Sequence, residues 1–325
     1  MKSINRFVVG IAAAFIVITA PLQAAVSIFS TAPGFTIDDI AFDDAGDLFY
    51  LQTPSDPGAP TVLIKRTLGS GYGVGTTVFD FGARKFGAFV TTTGGRVYFG
   101  ESSDGSIRSI ATDGSDPQLH ANVPSIYSMA VSSSGKAYLS ANGAGFGQGN
   151  LVLSLDLGLG TTTTLIDNTN DFSGPVTLDS SGNLYYGGTG SPFGPGAPGD
   201  IFRFSESALD NALATMTPID LGSATAFAST VGNSYFAYAS TLGIYRHAFG
   251  GLSLVDTTTG LETPVPGEPA PTLGGIAYNG SALYGVSTDF GAGVSTFSLI
   301  PEPSRALLIL IGVNFALANR RRRTP

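Results

Sequence analysis

Short apolar stretches alternate with turn residues along most of the chain, and the same arrangement recurs. Each copy has an alternating apolar stretch, a turn of Asp, Ser, Asn and Gly, and a second strand that carries an aromatic or aliphatic residue. Clear copies span residues 40–49, 129–138 and 176–185, and fainter copies span 88–98, 227–235 and 276–284. Because these turn residues tolerate positive φ between strands of period two, each copy predicts a β-hairpin.

The spacing of these hairpins predicts the fold class. Their turn glycines recur every 40 to 50 residues, at Gly46, Gly95, Gly135, Gly182, Gly232 and Gly280. A looser second hairpin follows each of the first five, the fourth ending in a strand over residues 214–220. Four strands per unit is typical of a propeller blade, so we predict an all-β, six-bladed β-propeller of four-stranded antiparallel blades.

The last unit has only one strand after its hairpin, at residues 293–299. We therefore expect residues 26–31, near the other end of the chain, to supply its outer strand, which would close the ring and cover an open sheet edge. The alternatives that the pattern leaves open are an irregular pair of β-sandwiches and a β-helix.

The repeat at residues 174–185, Gly-Pro-Val-Thr-Leu-Asp-Ser-Ser-Gly-Asn-Leu-Tyr, resembles that of the NHL and gluconolactonase-like (SMP-30) six-bladed propellers. The resemblance implies a central channel lined by the first strand of each blade, with a ligand at one mouth. It also implies a divalent ion held by Glu, Asn and Asp. Glu101, Asn142 and Asp289 follow the aromatic strands and have these residue types, so they form the candidate metal set.

A second group of polar residues has the same chemistry as this set. The acidic pair Asp38 and Asp39 precedes the first repeat and is a second candidate for the mouth. Oxygen donors of this kind suit Ca²⁺ or Mg²⁺, the only cofactors that the residues suggest. For all five residues, the alternative is an ordinary solvated loop or turn position.

Residues 1–24 have the order of a secretory signal peptide. Lys2 and Arg6 precede an apolar run over residues 7–20, and small residues follow near Ala24. The run is shorter than the roughly 20 residues that span a bilayer. We therefore predict an N-terminal signal helix that is cleaved near Ala24, with a retained anchor as the alternative.

Residues 301–325 carry a second targeting pattern. Pro-Glu-Pro-Ser is followed by an apolar run over residues 306–318 and an arginine cluster, which predicts a transmembrane helix with its end held in the cytoplasm. A plain C-terminal anchor would have the same pattern. The order resembles the PEP-CTERM sorting signal of Gram-negative bacteria, which a membrane transpeptidase called exosortase processes.

That resemblance implies roles and a location. Pro301, Glu302 and Pro303 would be the processing motif, and the helix would hold the chain in the inner membrane transiently, together with Arg320, Arg321, Arg322 and Arg323. The expected partners are the secretion machinery, exosortase and extracellular polysaccharide. The expected destination is the cell surface or extracellular matrix, and the propeller domain would occupy residues 25–300.

Composition narrows the chemistry. The chain has no Cys, which excludes disulfides, thiolate metal sites and Cys nucleophiles. It has only two His residues, which leaves little material for His-based catalysis or a zinc site. Residues 25–300 hold nine basic and 23 acidic residues, a net charge of −14. A body this acidic repels nucleic acid, because phosphate binding requires a Lys/Arg surface.

The sequence is compatible with three classes of function. We favour a binding or structural module over an enzyme, with tyrosines such as Tyr50, Tyr127 and Tyr186 available to stack on sugar rings or to pack in the core. The alternatives are a divalent-metal-dependent lactonase or hydrolase of the SMP-30 type and a structural spacer. His120 and His247 are expected to pack rather than to act as bases. Asp43, Asp44 and Asp47 are expected to shape a turn.

Overall fold

The computed structural model describes residues 26–142, 150–169, 174–188, 199–230, 232–240, 242–248, 251–265, 273–289 and 293–298. Within these ranges the chain forms 25 strands and one α-helix. The strands assemble into six sheets, five with four strands and one with five. The prediction of an all-β propeller is confirmed.

The N-terminal strand β1 spans Val26–Ser30 and belongs to the last sheet. Blade 1 comprises β2 (Phe35–Phe42), β3 (Leu48–Pro54), β4 (Val62–Arg66) and β5 (Gly75–Asp80). Blade 2 comprises β6 (Gly87–Thr93), β7 (Arg96–Glu101), β8 (Ser106–Ala111) and β9 (Gln118–Asn122). Blade 3 comprises β10 (Ile126–Val131), β11 (Ala137–Asn142), β12 (Asn150–Leu155) and β13 (Thr162–Thr169).

Blade 4 comprises β14 (Val176–Leu178), β15 (Leu184–Gly187), β16 (Gly199–Phe204) and, after an insertion, β18 (Ala228–Thr230). The insertion holds α1 (Glu206–Thr215) and β17 (Ile219–Asp220), which pairs in parallel with β13 of blade 3. Blade 5 comprises β19 (Tyr235–Ala239), β20 (Gly243–Ala248), β21 (Gly251–Val255) and β22 (Glu262–Pro264). The sixth sheet joins β23 (Leu273–Tyr278), β24 (Leu283–Asp289) and β25 (Gly293–Ser298) to β1.

The first strands of the sheets form the centre of the molecule. They contact one another in the cyclic order β2, β6, β10, β14, β19, β23 and back to β2. The second strand of a blade is buried on both faces, because neighbouring blades pack against it. In β3, for example, Leu48, Phe49, Tyr50 and Leu51 are all fully buried. This burial explains the nearly continuous apolar runs after each turn, and each such side chain contributes roughly 1.5–3 kcal/mol.

The sixth sheet combines both ends of the described chain. β1 pairs antiparallel with β25, with Val26 opposite Ser298 and Ser30 opposite Ser295, as the strand count predicts. Blade 1 holds this strand in place, since the guanidinium of Arg66 lies 3.9 Å from the ring centroid of Phe29. The same Phe29 ring stacks on Tyr50 at 5.4 Å. The closing strand is therefore fixed by backbone pairing on one side and by ring contacts on the other.

One part of the predicted repeat is wrong. Residues 214–220 do not form the outer strand of the fourth unit, because the segment before them is a helix capped by Ser205, whose Oγ accepts from Ala208 N. Leu209 and Ala212 of α1 pack into the core shared by blades 3 and 4. The outer strand of blade 4 is instead β18, so residues 227–235 are a crossing between blades and not a hairpin.

The two predicted targeting helices lie outside the described residues, at 1–25 and 299–325. In the ranges that the structure describes, no helix is both long and apolar enough to cross a membrane.

Two glycines allow a turn of one blade to touch the backbone of the blade before it. Gly160 has φ +70°, and a Cβ there would lie 2.3 Å from the carbonyl oxygen of His120 in blade 2. Gly260 repeats the arrangement, with φ +72° and the carbonyl oxygen of Phe227 at 2.3 Å. Gly135 also has positive φ, +84°, but nothing lies within 4 Å of its Cβ position. Close packing between blades therefore depends on glycine at positions 160 and 260.

We expect Gly160→Ala to lower the free energy of unfolding at least twice as much as Gly135→Ala, measured by urea denaturation of the purified protein. Gly135→Ala meets only the cost of a left-handed backbone, about 1 kcal/mol, whereas Gly160→Ala adds a clash with the backbone. Equal losses in the two variants would show that the contact between blades adds nothing.

Candidate functional site

The six inner strands enclose a central channel of about 470 Å³. We call the end where these strands begin the acidic end, because Asp39 lines it together with Tyr127 and Tyr235. Phe42, Asp44 and Tyr238 line the other end, close to the turns of the first hairpins. The channel thus has a carboxylate and aromatic side chains at both ends, with Asp39 at the end where the strands begin and Asp44 at the end where they finish.

A β-bulge delivers Asp38 and Asp39 to the acidic end. The pairing of β2 with β3 shifts register between Ile37 and Ile40, so the two aspartates between them are unpaired. The Asp38 carboxylate accepts from Thr53 Oγ1 at 2.6 Å and from Gly87 N at 3.0 Å. Oδ2 of Asp39 accepts from Val90 N at 2.8 Å. The bulge therefore directs two consecutive carboxylates towards the inner strand of blade 2.

Glycines in both neighbouring inner strands make room for the pair. A Cβ on Gly87 in blade 2 would lie 2.5 Å from Oδ2 of Asp38. A Cβ on Gly275 in the sixth sheet would lie 2.1 Å from Oδ1 of Asp39. No side chain fits at either position while the carboxylates hold their places, so the site is built from three sheets.

Burial alters the protonation of both aspartates. Desolvation raises the pKa of Asp38 to about 6, although hydrogen bonds from Thr53 and Gly87 oppose it. Desolvation also raises the pKa of Asp39, to about 7, and the neighbouring charge of Asp38 adds to the effect. Asp39 is thus close to half ionised at neutral pH, which is the condition that suits a group that exchanges protons.

The two tyrosines remain protonated beside these acids. Desolvation and the charge of Asp39 raise the pKa of both Tyr127 and Tyr235. The Tyr127 hydroxyl donates to the carbonyl oxygen of Ser234 at 2.8 Å, across the channel between blades 3 and 5. The acidic end therefore combines a proton acceptor with phenolic donors.

The predicted metal residues all lie at the ends of second strands, on the side of the propeller that carries the acidic end. Glu101 is fully buried, and its carboxylate accepts from the backbone nitrogens of Ser103, Asp104 and Ser106 at 2.7 to 3.3 Å. It therefore holds the loop between β7 and β8. Asn142 is buried at the end of β11, where its backbone nitrogen donates to the carbonyl oxygen of Ser125.

Asp289 ends β24, and its side chain lies outside the described residues. The Glu101, Asn142 and Asp289 set consequently stays a prediction. Among the side chains that the structure does describe, no three His, Cys, Asp or Glu residues lie together.

The candidate tyrosines and histidines lie in the core, along the channel or between blades. Tyr50 and Tyr186 are fully buried in the core and cannot stack on a sugar, whereas Tyr127 lines the channel. His120 bridges two blades, with its ring nitrogens 2.7 Å from Ser109 Oγ and from Leu157 O. His247 is buried in β20.

Asp43 shapes a turn as expected, accepting from Ala45 N and Asp47 N. The processing motif and the arginine cluster, Pro301 to Pro303 and Arg320 to Arg323, lie outside the described residues.

Sequence reasoning identified Asp38 and Asp39 but missed Tyr235, Gly87 and Gly275. The pattern at residues 227–235 predicts a hairpin, which obscures the position of Tyr235 at the start of an inner strand. Each of these glycines is far from the aspartates along the chain, and its role is visible only when the ring brings the inner strands together.

Comparison with known proteins supports the fold. No protein-family model matches the chain, and no curated protein matches it by sequence. Among solved structures, it is similar to a calcium-binding protein, regucalcin, from Agrobacterium tumefaciens strain C58, at 15% identity and a TM-score of 0.57 over 86% of this chain and 96% of that one.

Two enzymes show the same likeness. A gluconolactonase from Xanthomonas campestris matches at 13% identity and a TM-score of 0.59 over 85% of this chain and 90% of that one. A luciferin-regenerating enzyme matches at 12% identity and a TM-score of 0.59 over 85% and 95%. At these identities the likeness concerns the fold alone, which is a β-propeller.

The raised pKa of Asp39 predicts a pH-dependent stability. In the unfolded chain Asp39 ionises near pH 4, and in the folded protein near pH 7, so the folded state binds the extra proton between these values. Its contribution is therefore fully present below pH 4 and lost as pH rises to 7. We expect Asp39→Asn to match the wild type in urea denaturation near pH 4. At pH 8 we expect it to be more stable by about 2 kcal/mol.

Asp44→Asn, at the other end of the same channel, is measured in parallel as the matched control. A stability difference between Asp39→Asn and wild type that is the same at pH 4 and pH 8 would contradict the assigned shift.

Proposed function

We propose that the protein hydrolyses small, water-soluble lactones or related esters at the acidic end of its channel. The observation that carries this proposal is Asp39, a recessed carboxylate whose pKa lies near 7 beside two phenols in a cavity of small-molecule size. The fold shared with a gluconolactonase and a luciferin-regenerating enzyme supports it.

The proposed step needs only groups of this chain and water. Ionised Asp39 accepts a proton from a water molecule as the water oxygen attacks the lactone carbonyl carbon. Tyr235 donates a hydrogen bond to the carbonyl oxygen while negative charge develops there. The bond between that carbon and the ring oxygen then breaks, and the proton held by Asp39 passes to the leaving alkoxide. The product is a hydroxy acid, and Asp39 returns to its ionised form.

We also propose that the chain is exported and sorted. Residues 1–24 would direct secretion, and residues 301–325 would hold the body at the inner membrane until exosortase processes the motif at Pro301 to Pro303. The order of proline motif, apolar run and arginine cluster supports this. The enzyme would then act at the cell surface or in the polysaccharide matrix.

The hydrolase proposal predicts that Asp39→Asn lowers kcat/KM for glucono-δ-lactone at least about 100-fold, because an amide cannot accept the proton. The wild-type rate should rise with pH through a midpoint near 7, where Asp39 ionises. Lactone opening is followed by base titration on a pH-stat, with the spontaneous rate subtracted. Asp44→Asn is the matched control and should retain the wild-type rate.

Full activity in Asp39→Asn would exclude the proposed role of this residue. Calorimetric binding of the lactone without turnover by the wild type would instead support a binding module, and the hydrolase proposal would then be wrong.

Gly275 offers a second test, since it holds no atom of the reaction but makes room for Asp39. In Gly275→Ala the methyl group would displace both the carboxylate and the Cα of Asp39, so we expect kcat to fall at least about tenfold and the pH midpoint to move. Gly274→Ala is the control, because its Cβ contacts Ile37 and Val286 at 3.2 Å or more instead of Asp39. An unchanged pH profile in Gly275→Ala would contradict the positioning role.

A further inference from the structure

Both ends of the described chain leave the propeller at one place. Val26, which begins β1, lies opposite Ser298, which ends β25. Ser298 also lies opposite Tyr284 of β24, next to the turn that joins β23 and β24. The chain therefore enters and leaves the body beside the first hairpin turn of the sixth sheet.

That place is opposite to the acidic end. The inner strands run in the same direction. Asp38 and Asp39 of β2 accept in that order from Gly87 and Val90 of β6, and Gly274 and Gly275 of β23 lie in that order beside Ile37 and Asp39. All of them start at the acidic end and finish at the hairpin turns, so we call the two sides of the propeller the acidic face and the turn face. Val26 and Ser298 belong to the turn face.

The tether from the turn face is short. Only residues 299–305 separate β25 from the apolar run that starts at Ala306. Because an extended chain spans at most about 3.3–3.6 Å per residue, the attachment point stays within roughly 25 Å of the bilayer. A short link at one face of a rigid ring restricts which face can turn towards the membrane.

We propose that the membrane-held protein turns its acidic face away from the bilayer, so that the acidic end of the channel opens to the aqueous side. The inference rests on the proposed membrane tether at residues 301–325. While the protein is held at the membrane, this orientation favours substrates that arrive through water, such as sugar-derived lactones, over substrates handed over from the lipid phase.

Single cysteines can test this orientation cleanly, because the chain has no native Cys. Ser133 is exposed in the β10–β11 turn on the turn face, and Ser55 is exposed just after β3 on the acidic face. Full-length Ser133→Cys and Ser55→Cys proteins carry a donor fluorophore and are reconstituted in phosphatidylcholine vesicles with an acceptor-labelled lipid. We expect energy transfer to be at least twofold higher from position 133 than from position 55.

Flotation of the same vesicles distinguishes a wrong orientation from the absence of a membrane tether. Protein that floats with the vesicles but shows equal or reversed transfer would overturn the orientation and leave the tether intact. Protein that does not float would overturn the tether and the orientation together. Both labelled variants should keep the wild-type melting temperature, which confirms that transfer reports the folded ring.

Discussion

The structure depends on burying both faces of each sheet against the neighbouring sheets. A second strand such as β3, in which Leu48 to Leu51 are all fully buried, cannot exist in an isolated blade without exposing an apolar face to water. Each blade is therefore stable only between two others, and the ring has to close. Closure rests on β1, which pairs with β25 and carries the Phe29 ring beneath the Arg66 guanidinium.

The same ring geometry removes two carboxylates from water, which costs free energy, and fixes their positions between neighbouring sheets. Two adjacent carboxylates are taken out of bulk water by a bulge in β2, and desolvation raises the pKa of each. Backbone nitrogens of Gly87 and Val90 partly compensate for the lost hydration. The missing side chain at Gly275 leaves room beside the sixth sheet for Oδ1 of Asp39 and for the backbone of Asp39 and Ile40.

Local rules predicted the hairpins, because a turn glycine and its flanking strands are close in sequence. The same rules failed at residues 214–220, where the cap at Ser205 and the apolar spacing of Leu209 and Ala212 favour a helix. The error then moved the start of blade 5 and hid Tyr235. Glu101 had a suitable residue type for an ion, but its carboxylate accepts from the loop that follows it. Asp38 and Asp39 could be identified, whereas their neighbours Gly87 and Gly275 required the closed ring.

The pairing of β1 with β25 also determines when the fold can form. These strands are separated by nearly the whole body, so the contact that completes the sixth sheet has the largest sequence separation in the ring, and high contact order slows folding. A chain that is still emerging lacks the partner of its own first strand. It consequently stays open during synthesis, and the ring can close only after β25 is available to pair with β1.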